Sequence, residues 1–348
     1  MVRILSIDGG GIRGIIPARI LISLEDKLKK HSNNPDARLA DYFDFIAGTS
    51  TGGILACIYL FPDNNNRPKF SANDALNFYK SYGEKIFRQT LWRKITTVWG
   101  LLRGKYAPDV LEECLDKYFG ESTLDQLLKP CIIPSFSIRP NVSDGLEKNR
   151  PYFFTQHDAK LKPKENFSLK EVCRSTSAAP TYFPPAFALS NFGEGMGTID
   201  GGVFANNPTL CAYAEVRKAV SQPKAKDMFI VSLSTGTTGV RIDYSKAKNW
   251  GTIHWVKPLI DTMMSGVSQT TSYQLKKIFE AAEVPDQYIR LEPRLESGEA
   301  SMDNASPENI QNLIRIGEQK AKSKNEELEY IAKRLVETKP QKLEYVLR

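Results

Sequence analysis

Histidine is scarce in this chain: His31, His157 and His254 are the only three among 348 residues. Any chemistry that needs an imidazole base must draw on those three. Cysteine is thin as well, with Cys57, Cys114, Cys131, Cys173 and Cys211 widely spaced, odd in number and without a C-x-x-C pair. That pattern argues against a disulfide framework or a zinc site and predicts buried free thiols in a reducing compartment. No run approaches the about 18 consecutive apolar residues that a membrane-spanning helix needs. The opening Met1-Val2-Arg3-Ile4-Leu5 runs directly into a strand pattern without the charged and apolar regions of a signal peptide, so a cytoplasmic protein is expected. The sequons at Asn141, Asn166 and Asn304 then carry no glycan. A dense Lys/Arg block with interleaved aromatics is also lacking: 47 basic residues face 40 acidic ones, for a net charge of +7. Nucleic-acid polymers are therefore not expected partners, whereas so mild an excess suits either transient contact with an anionic membrane surface or an ordinary solvated exterior.

What is present is an alternation of strand and helix signals. Strands are expected at 3–7, 43–47, 131–138, 151–155, 186–189, 196–200, 228–233 and 287–291. Helices are expected from Pro17 onward and at 53–61, 72–87, 107–118, 208–220, 252–279 and 306–336, with Ser71 and Asp74 forming a capping box. This order predicts an α/β fold, a three-layer α/β/α sandwich with a mostly parallel central sheet. Without a repeat or a long linker, residues 1–337 read as a single domain and 338–348 as a loose C-terminal tail. Between Arg88 and Tyr106, Leu91, Trp92, Ile95, Val98, Trp99 and Leu102 recur at helical spacing beside Arg88, Arg93, Lys94, Arg103 and Lys105. That amphipathic pattern fits a lid or membrane-docking element carrying Trp92 and Trp99, and equally a core-packed helix with a basic edge.

Three short segments carry chemistry. Gly48-Thr49-Ser50-Thr51-Gly52 follows a strand and opens a helix, the arrangement of a nucleophile elbow. In so tight a turn the flanking residues must lack side chains, and the serine hydroxyl is held at a helix N-terminus. The histidines suit its base poorly: His31 ends a helix among lysines, His254 sits in a Trp-flanked helix, and His157, in the polar loop Thr155-Gln156-His157-Asp158, is the residual candidate. Asp200 offers a carboxylate at a strand end, followed by Gly201 and Gly202, pointing into the crevice where open α/β sheets bind ligands. An ionised carboxylate there can take the Ser50 proton directly. An ordinary Asp-Gly turn is the competing reading.

The third segment is Asp8-Gly9-Gly10-Gly11-Ile12-Arg13-Gly14. Gly9, Gly11 and Gly14 satisfy G-x-G-x-x-G, which would cradle a nucleotide pyrophosphate and make the chain a nucleotide-binding regulator. That fingerprint calls for an acidic residue about 20 positions on at a second strand end. Glu25 and Asp26 are instead in mid-helix, so the loop fits an oxyanion site better. Arg13 serves to hold the loop, to contact a substrate phosphate, or as a surface ion pair.

DGGGIRG at 8–14, GTSTGG at 48–53 and DGG at 200–202, in that order, resemble the patatin-like phospholipases. Ser177-Ala178-Ala179-Pro180 with Phe183-Pro184, and Asn206-Asn207-Pro208, extend the resemblance. Leu233-Ser234-Thr235-Gly236, Tyr273-Gln274-Leu275 and Met302-Asp303-Asn304-Ala305-Ser306 add weaker echoes, so that it spans nearly the whole chain. It implies a Ser50–Asp200 dyad and an oxyanion hole of backbone N–H groups from Gly9, Gly10 and Gly11, with Arg13, Gly14, Gly48, Gly52, Gly201 and Gly202 in support. It further implies metal- and cofactor-free hydrolysis of acyl esters in phospholipids or galactolipids, peripherally at the inner membrane surface. Gly202 stands where many members have alanine. The layout is nearer the bacterial and cytosolic members, some of which are antiviral-defence effectors activated by cyclic nucleotides. A homo-oligomer is compatible with the resemblance, and a general carboxylesterase or thioesterase is the alternative within the same chemistry.

Overall fold

The first strand, β1 (Val2–Ile7), lies inside a mixed sheet and is buried along its whole length. Its side chains alternate between the sheet faces, Leu5 and Ile7 joining one apolar cluster and Val2 and Ile4 another. The computed structural model describes residues 1–88, 104–138, 149–238, 242–295 and 301–346; Trp92 and Trp99 lie outside these. From β1 the chain runs through α1 (Ile15–Ser32) and the single turn α2 (Leu39–Tyr42) to β2 (Phe45–Gly48), then α3 (Thr51–Leu60), α4 (Ala72–Ile86) and α5 (Asp109–Phe119). Next come β3 (Cys131–Ile138), β4 (Arg150–Thr155), α6 (Gln156–Leu161), α7 (Leu169–Thr176), β5 (Ala186–Leu189) and β6 (Gly195–Asp200). They are followed by α8 (Gly202–Ala205), α9 (Thr209–Arg217), β7 (Met228–Leu233), β8 (Thr237–Thr238), α10 (Tyr244–Ala247) and α11 (Thr252–Ala281). β9 (Tyr288–Leu291), β10 (Arg294–Leu295), α12 (Pro307–Ser323) and α13 (Asn325–Glu337) close the sequence of elements.

The main sheet has the order β5-β6-β3-β2-β1-β7-β9, with β4 pairing β3 off that path. Helices cover both faces. Ala212 and Val216 of α9 and Leu275 and Phe279 of α11 pack on the Val2–Ile4 side, whereas α1, α3, α4 and α12 contribute to the larger cluster opposite. This is the expected three-layer arrangement, but only the stretch from β3 through β2, β1 and β7 to β9 is parallel. β4 and β6 run antiparallel to β3, and β5 to β6; residues 190–194, which join β5 to β6, are too few for a parallel crossover.

That switch of direction brings two distant segments together. Ile132 of β3 pairs with Ala47 of β2 and with Thr155 of β4, while Ser135 pairs with Tyr152 of β4 and with Asp200 of β6. β2 and β6 therefore share one edge of β3 and meet nearly end to end. The close of β6, at Asp200, arrives where the turn after β2 begins.

Four local expectations change. The helix expected over 306–336 is two, broken at Lys324 (φ −112°, ψ 27°), and both halves pack on α1. The polar loop around His157 is α6, capped by Thr155, whose side chain accepts from the Asp158 N–H. α7 was not expected, although Ser168 and Glu171 form a capping box at its start. The segment from Thr338 is not loose. Leu343 is buried, the Glu344 carbonyl accepts the Val220 N–H at 2.8 Å, and Tyr345 stacks on His157 with ring centroids 3.7 Å apart.

Candidate active site

Ser50 sits in the turn between β2 and α3 with φ 54° and ψ −121°, a backbone conformation that a residue with a side chain rarely adopts. Such strain costs about 1–3 kcal/mol and persists only where the surroundings enforce it. The turn closes because Gly48 and Gly52 carry no Cβ: one on Gly48 would lie 2.0 Å from the Gly52 carbonyl oxygen, and one on Gly52 2.2 Å from that of Ile7. The Ser50 N–H donates to Thr176 Oγ1 at 2.9 Å, and Thr49 Oγ1 donates to the Ala205 carbonyl at 2.7 Å. Gly14 packs against Thr51, whose hydroxyl is hydrogen-bonded to Tyr79.

Asp200 is 3% exposed and lines the same cavity as Ser50. The Gly202 N–H donates to Asp200 Oδ1 at 2.7 Å, and the Asp200 N–H donates to the Ala178 carbonyl at 3.0 Å. Burial pushes the Asp200 carboxyl up to about 7, against the opposing pull of the Ser50 hydroxyl and the Gly202 N–H. Gly201 caps α8 immediately behind it.

The glycine loop after β1 faces the same place. Gly10, Gly11, Ser50, Ser177 and Asp200 line one cavity, whose remaining wall is mostly apolar and includes Ile54, Phe78 and Leu111, with Thr51, Tyr79 and Tyr182 beside them. Gly11 needs its φ of 58°, and a Cβ there would lie 2.1 Å from the Met302 carbonyl oxygen. The Gly9 N–H is already given to the Asn206 carbonyl at 3.0 Å, which removes Gly9 from the expected set of oxyanion donors. The N–H groups of Gly10 and Gly11 have no such partner among the described residues. The Thr51 N–H, at the start of α3, likewise has no backbone partner among the described residues, a free N–H beside the turn that the sequence reading missed.

Arg13 is no surface ion pair. It is 9% exposed, and its Nε donates to the Gly10 carbonyl at 3.3 Å, bracing the loop from within. Asp8 anchors the start of the loop through Arg290 of β9, with Nη2–Oδ2 at 2.6 Å and Nη1–Oδ1 at 3.2 Å. Arg290 and Thr176 were not expected at the site, because only long-range pairing brings them to it.

None of the histidines lines the cavity. His157, the residual base candidate, is turned away: its Nε2 lies 2.8 Å from Glu215 Oε1 and its ring is stacked under Tyr345. His157, Asp158 and Glu215 cluster closely enough to suggest a metal, but Lys162 Nζ (3.2 Å from Asp158) and Lys218 Nζ (3.0 Å from Glu215) already hold the carboxylates. His31 pairs with Glu329 at 2.5 Å, and His254 is exposed on α11.

A family model described as patatin-like phospholipase matches residues 5–213. The chain is similar to Patatin-like protein 2 of Oryza sativa subsp. indica, with 36% identity over 345 residues, covering 91% of this chain and 83% of that protein. It is likewise similar to Probable inactive patatin-3-Kuras 1 of Solanum tuberosum, with 36% identity over 335 residues, covering 91% of this chain and 86% of that one. Among solved structures, human GIVD cytosolic phospholipase A2 aligns with a TM-score of 0.47 at 10% identity, over 97% of this chain and 60% of that chain.

Proposed function

The chain belongs to the patatin-like phospholipase family and is a lipid-hydrolysing enzyme; on that premise we propose that it cleaves fatty-acyl esters of membrane glycerolipids through a Ser50–Asp200 dyad. Ser50 Oγ attacks the ester carbonyl while Asp200 takes its proton. The Gly10 and Gly11 N–H groups stabilise the oxyanion, and the leaving alcohol takes the proton from Asp200. Water then attacks the acyl-enzyme, returns a proton to Ser50 by way of Asp200, and releases the fatty acid. The observation that carries this reading is that Ser50, held in a strained turn, and the buried Asp200 line one largely apolar cavity together with Gly10 and Gly11. An apolar wall suits an acyl chain, while backbone donors suit a tetrahedral oxyanion.

Mass spectrometry of lipids released from mixed vesicles tests it. The wild type should liberate fatty acid and lysolipid, and Ser50→Ala should liberate neither. Repeating the assay with cyclic nucleotides tests the regulatory part of the resemblance. Undiminished release by Ser50→Ala would end the dyad reading.

A further inference from the structure

Two backbone grips converge on one residue. Thr176 Oγ1 accepts the Ser50 N–H at 2.9 Å, and the Ala178 carbonyl accepts the Asp200 N–H at 3.0 Å. Ser177, between them, is thereby fixed beside both members of the dyad. It is 7% exposed and lines the same cavity, and its Oγ is buried with no hydrogen-bond partner among the described residues. Its backbone is already satisfied, the Ser177 N–H donating to the Cys173 carbonyl at 3.2 Å. Orphaned buried hydroxyls are rare because each forgoes the hydrogen bonds it had in water, so one beside a reaction centre calls for an explanation.

Several other polar groups of the cavity already have partners or roles. Thr51 and Tyr79 bond one another, Asp200 Oδ1 holds the Gly202 N–H, and Gly10 and Gly11, whose N–H groups the proposed function gives to the oxyanion, line the same cavity. The oxygen that departs in acylation takes its proton from Asp200 and can still accept a second hydrogen bond. By microscopic reversibility, the attacking water of deacylation occupies the same position. A neutral hydroxyl can donate to the first and accept from the second without changing its own charge.

We propose that Ser177 is a further catalytic residue, its hydroxyl hydrogen-bonding the leaving alcohol oxygen and then the hydrolytic water. The proposal rests on the Ser50–Asp200 reading. In acylation the Ser50 Oγ–C bond forms, the ester C–O bond breaks, and the proton taken from Ser50 passes through Asp200 to the leaving oxygen. In deacylation a water O–C bond forms, its proton goes to Asp200, and the Ser50–acyl bond breaks as Ser50 recovers the proton. Ser177 gains and loses none.

Ser177→Ala separates these steps. A fluorophosphonate forms an Oγ–P bond at Ser50 and expels fluoride, with neither an alcohol to hold nor a water to place. Labelling of Ser177→Ala should stay within about twofold of wild type, while turnover of a long-chain glycerol ester falls about tenfold or more. Its melting temperature should hold or rise, because an unpaired buried hydroxyl has been removed. Unchanged turnover would overturn the proposal, as would labelling that falls in parallel with turnover. Should Ser177→Ala not fold, Ser177→Cys, similar in shape and a weak hydrogen-bonder, is read in the same way. Ser50→Ala with wild-type turnover would instead overturn the dyad.

Discussion

Thr176 and Ser50 are joined by a hydrogen bond that fixes the nucleophile through its backbone: the Ser50 N–H donates to Thr176 Oγ1 at 2.9 Å, and that hydroxyl donates onward to the Pro134 carbonyl at 2.6 Å. Pro134 immediately precedes Ser135, which is in register with Asp200. One hydroxyl thus links the strained turn to the strand against which the proposed base is paired.

Thr176→Val keeps the shape of the side chain and removes the link. It should cost about 1–3 kcal/mol, because the Ser50 N–H loses its acceptor. It should also lower kcat about tenfold or more while leaving KM near the wild-type value. Thr176→Ser should restore both. Steady-state kinetics on the three proteins decides, and a Val variant with wild-type kcat would disprove the link's importance.

Asp200 must be ionised to accept a proton, and burial has raised its carboxyl to about 7. Activity should therefore climb with pH, about tenfold per unit below pH 7, and level off above it. A rate profile on a soluble ester that is flat from about pH 5.5 to 8.5 would contradict this assignment of the base.

The same shift has a stability consequence. Between about pH 4 and 7 the native state holds the Asp200 proton more firmly than the unfolded chain does. Asp200 therefore favours the fold at low pH, and that contribution is lost as pH rises through about 7. Asp200→Asn cannot ionise and retains an acceptor for the Gly202 N–H. It should be inactive, yet melt higher than wild type at pH 8, with the difference shrinking toward pH 5. Thermal melts at the two pH values test the sign.

Deleting 338–348 should destabilise the protein. The deletion exposes the Leu343 site, worth about 1.5–3 kcal/mol, and removes the Tyr345–His157 stack, worth about 0.5–1.5 kcal/mol. Denaturant unfolding measures the loss. A midpoint equal to that of the full chain would mean that the contacts are energetically idle.

The sequence disclosed most where the governing physics is local. Strand limits at 131–138, 186–189 and 228–233 agree with the structure, because apolar runs bounded by turn residues need little tertiary help. Gly48 and Gly52 were legible for the same reason, since a tight turn excludes side chains within five residues of chain. What escaped depends on remote partners. Gly9 reads like Gly10 until Asn206 takes its N–H. His157 reads as a loop residue until Glu215 and Tyr345 enclose it. The antiparallel half of the sheet was missed because strand direction depends on how connections are routed, which apolar periodicity does not encode. Thr176 and Ser177 lay within reach, in a segment already conspicuous for its sequence, but their roles arise only once α7 ends against the turn at Ser50.

The meeting of β2 and β6 along one edge of β3 also bears on synthesis at the ribosome. The proposed nucleophile is made early and its base 150 residues later (200 − 50), and the two come to line one cavity only after β6 has docked in register with Ser135. Pairings of such long sequence separation are slow to form. A chain folded only as far as β5 therefore holds the proposed nucleophile without its proposed base, and the pair is complete only when β6 has joined the sheet.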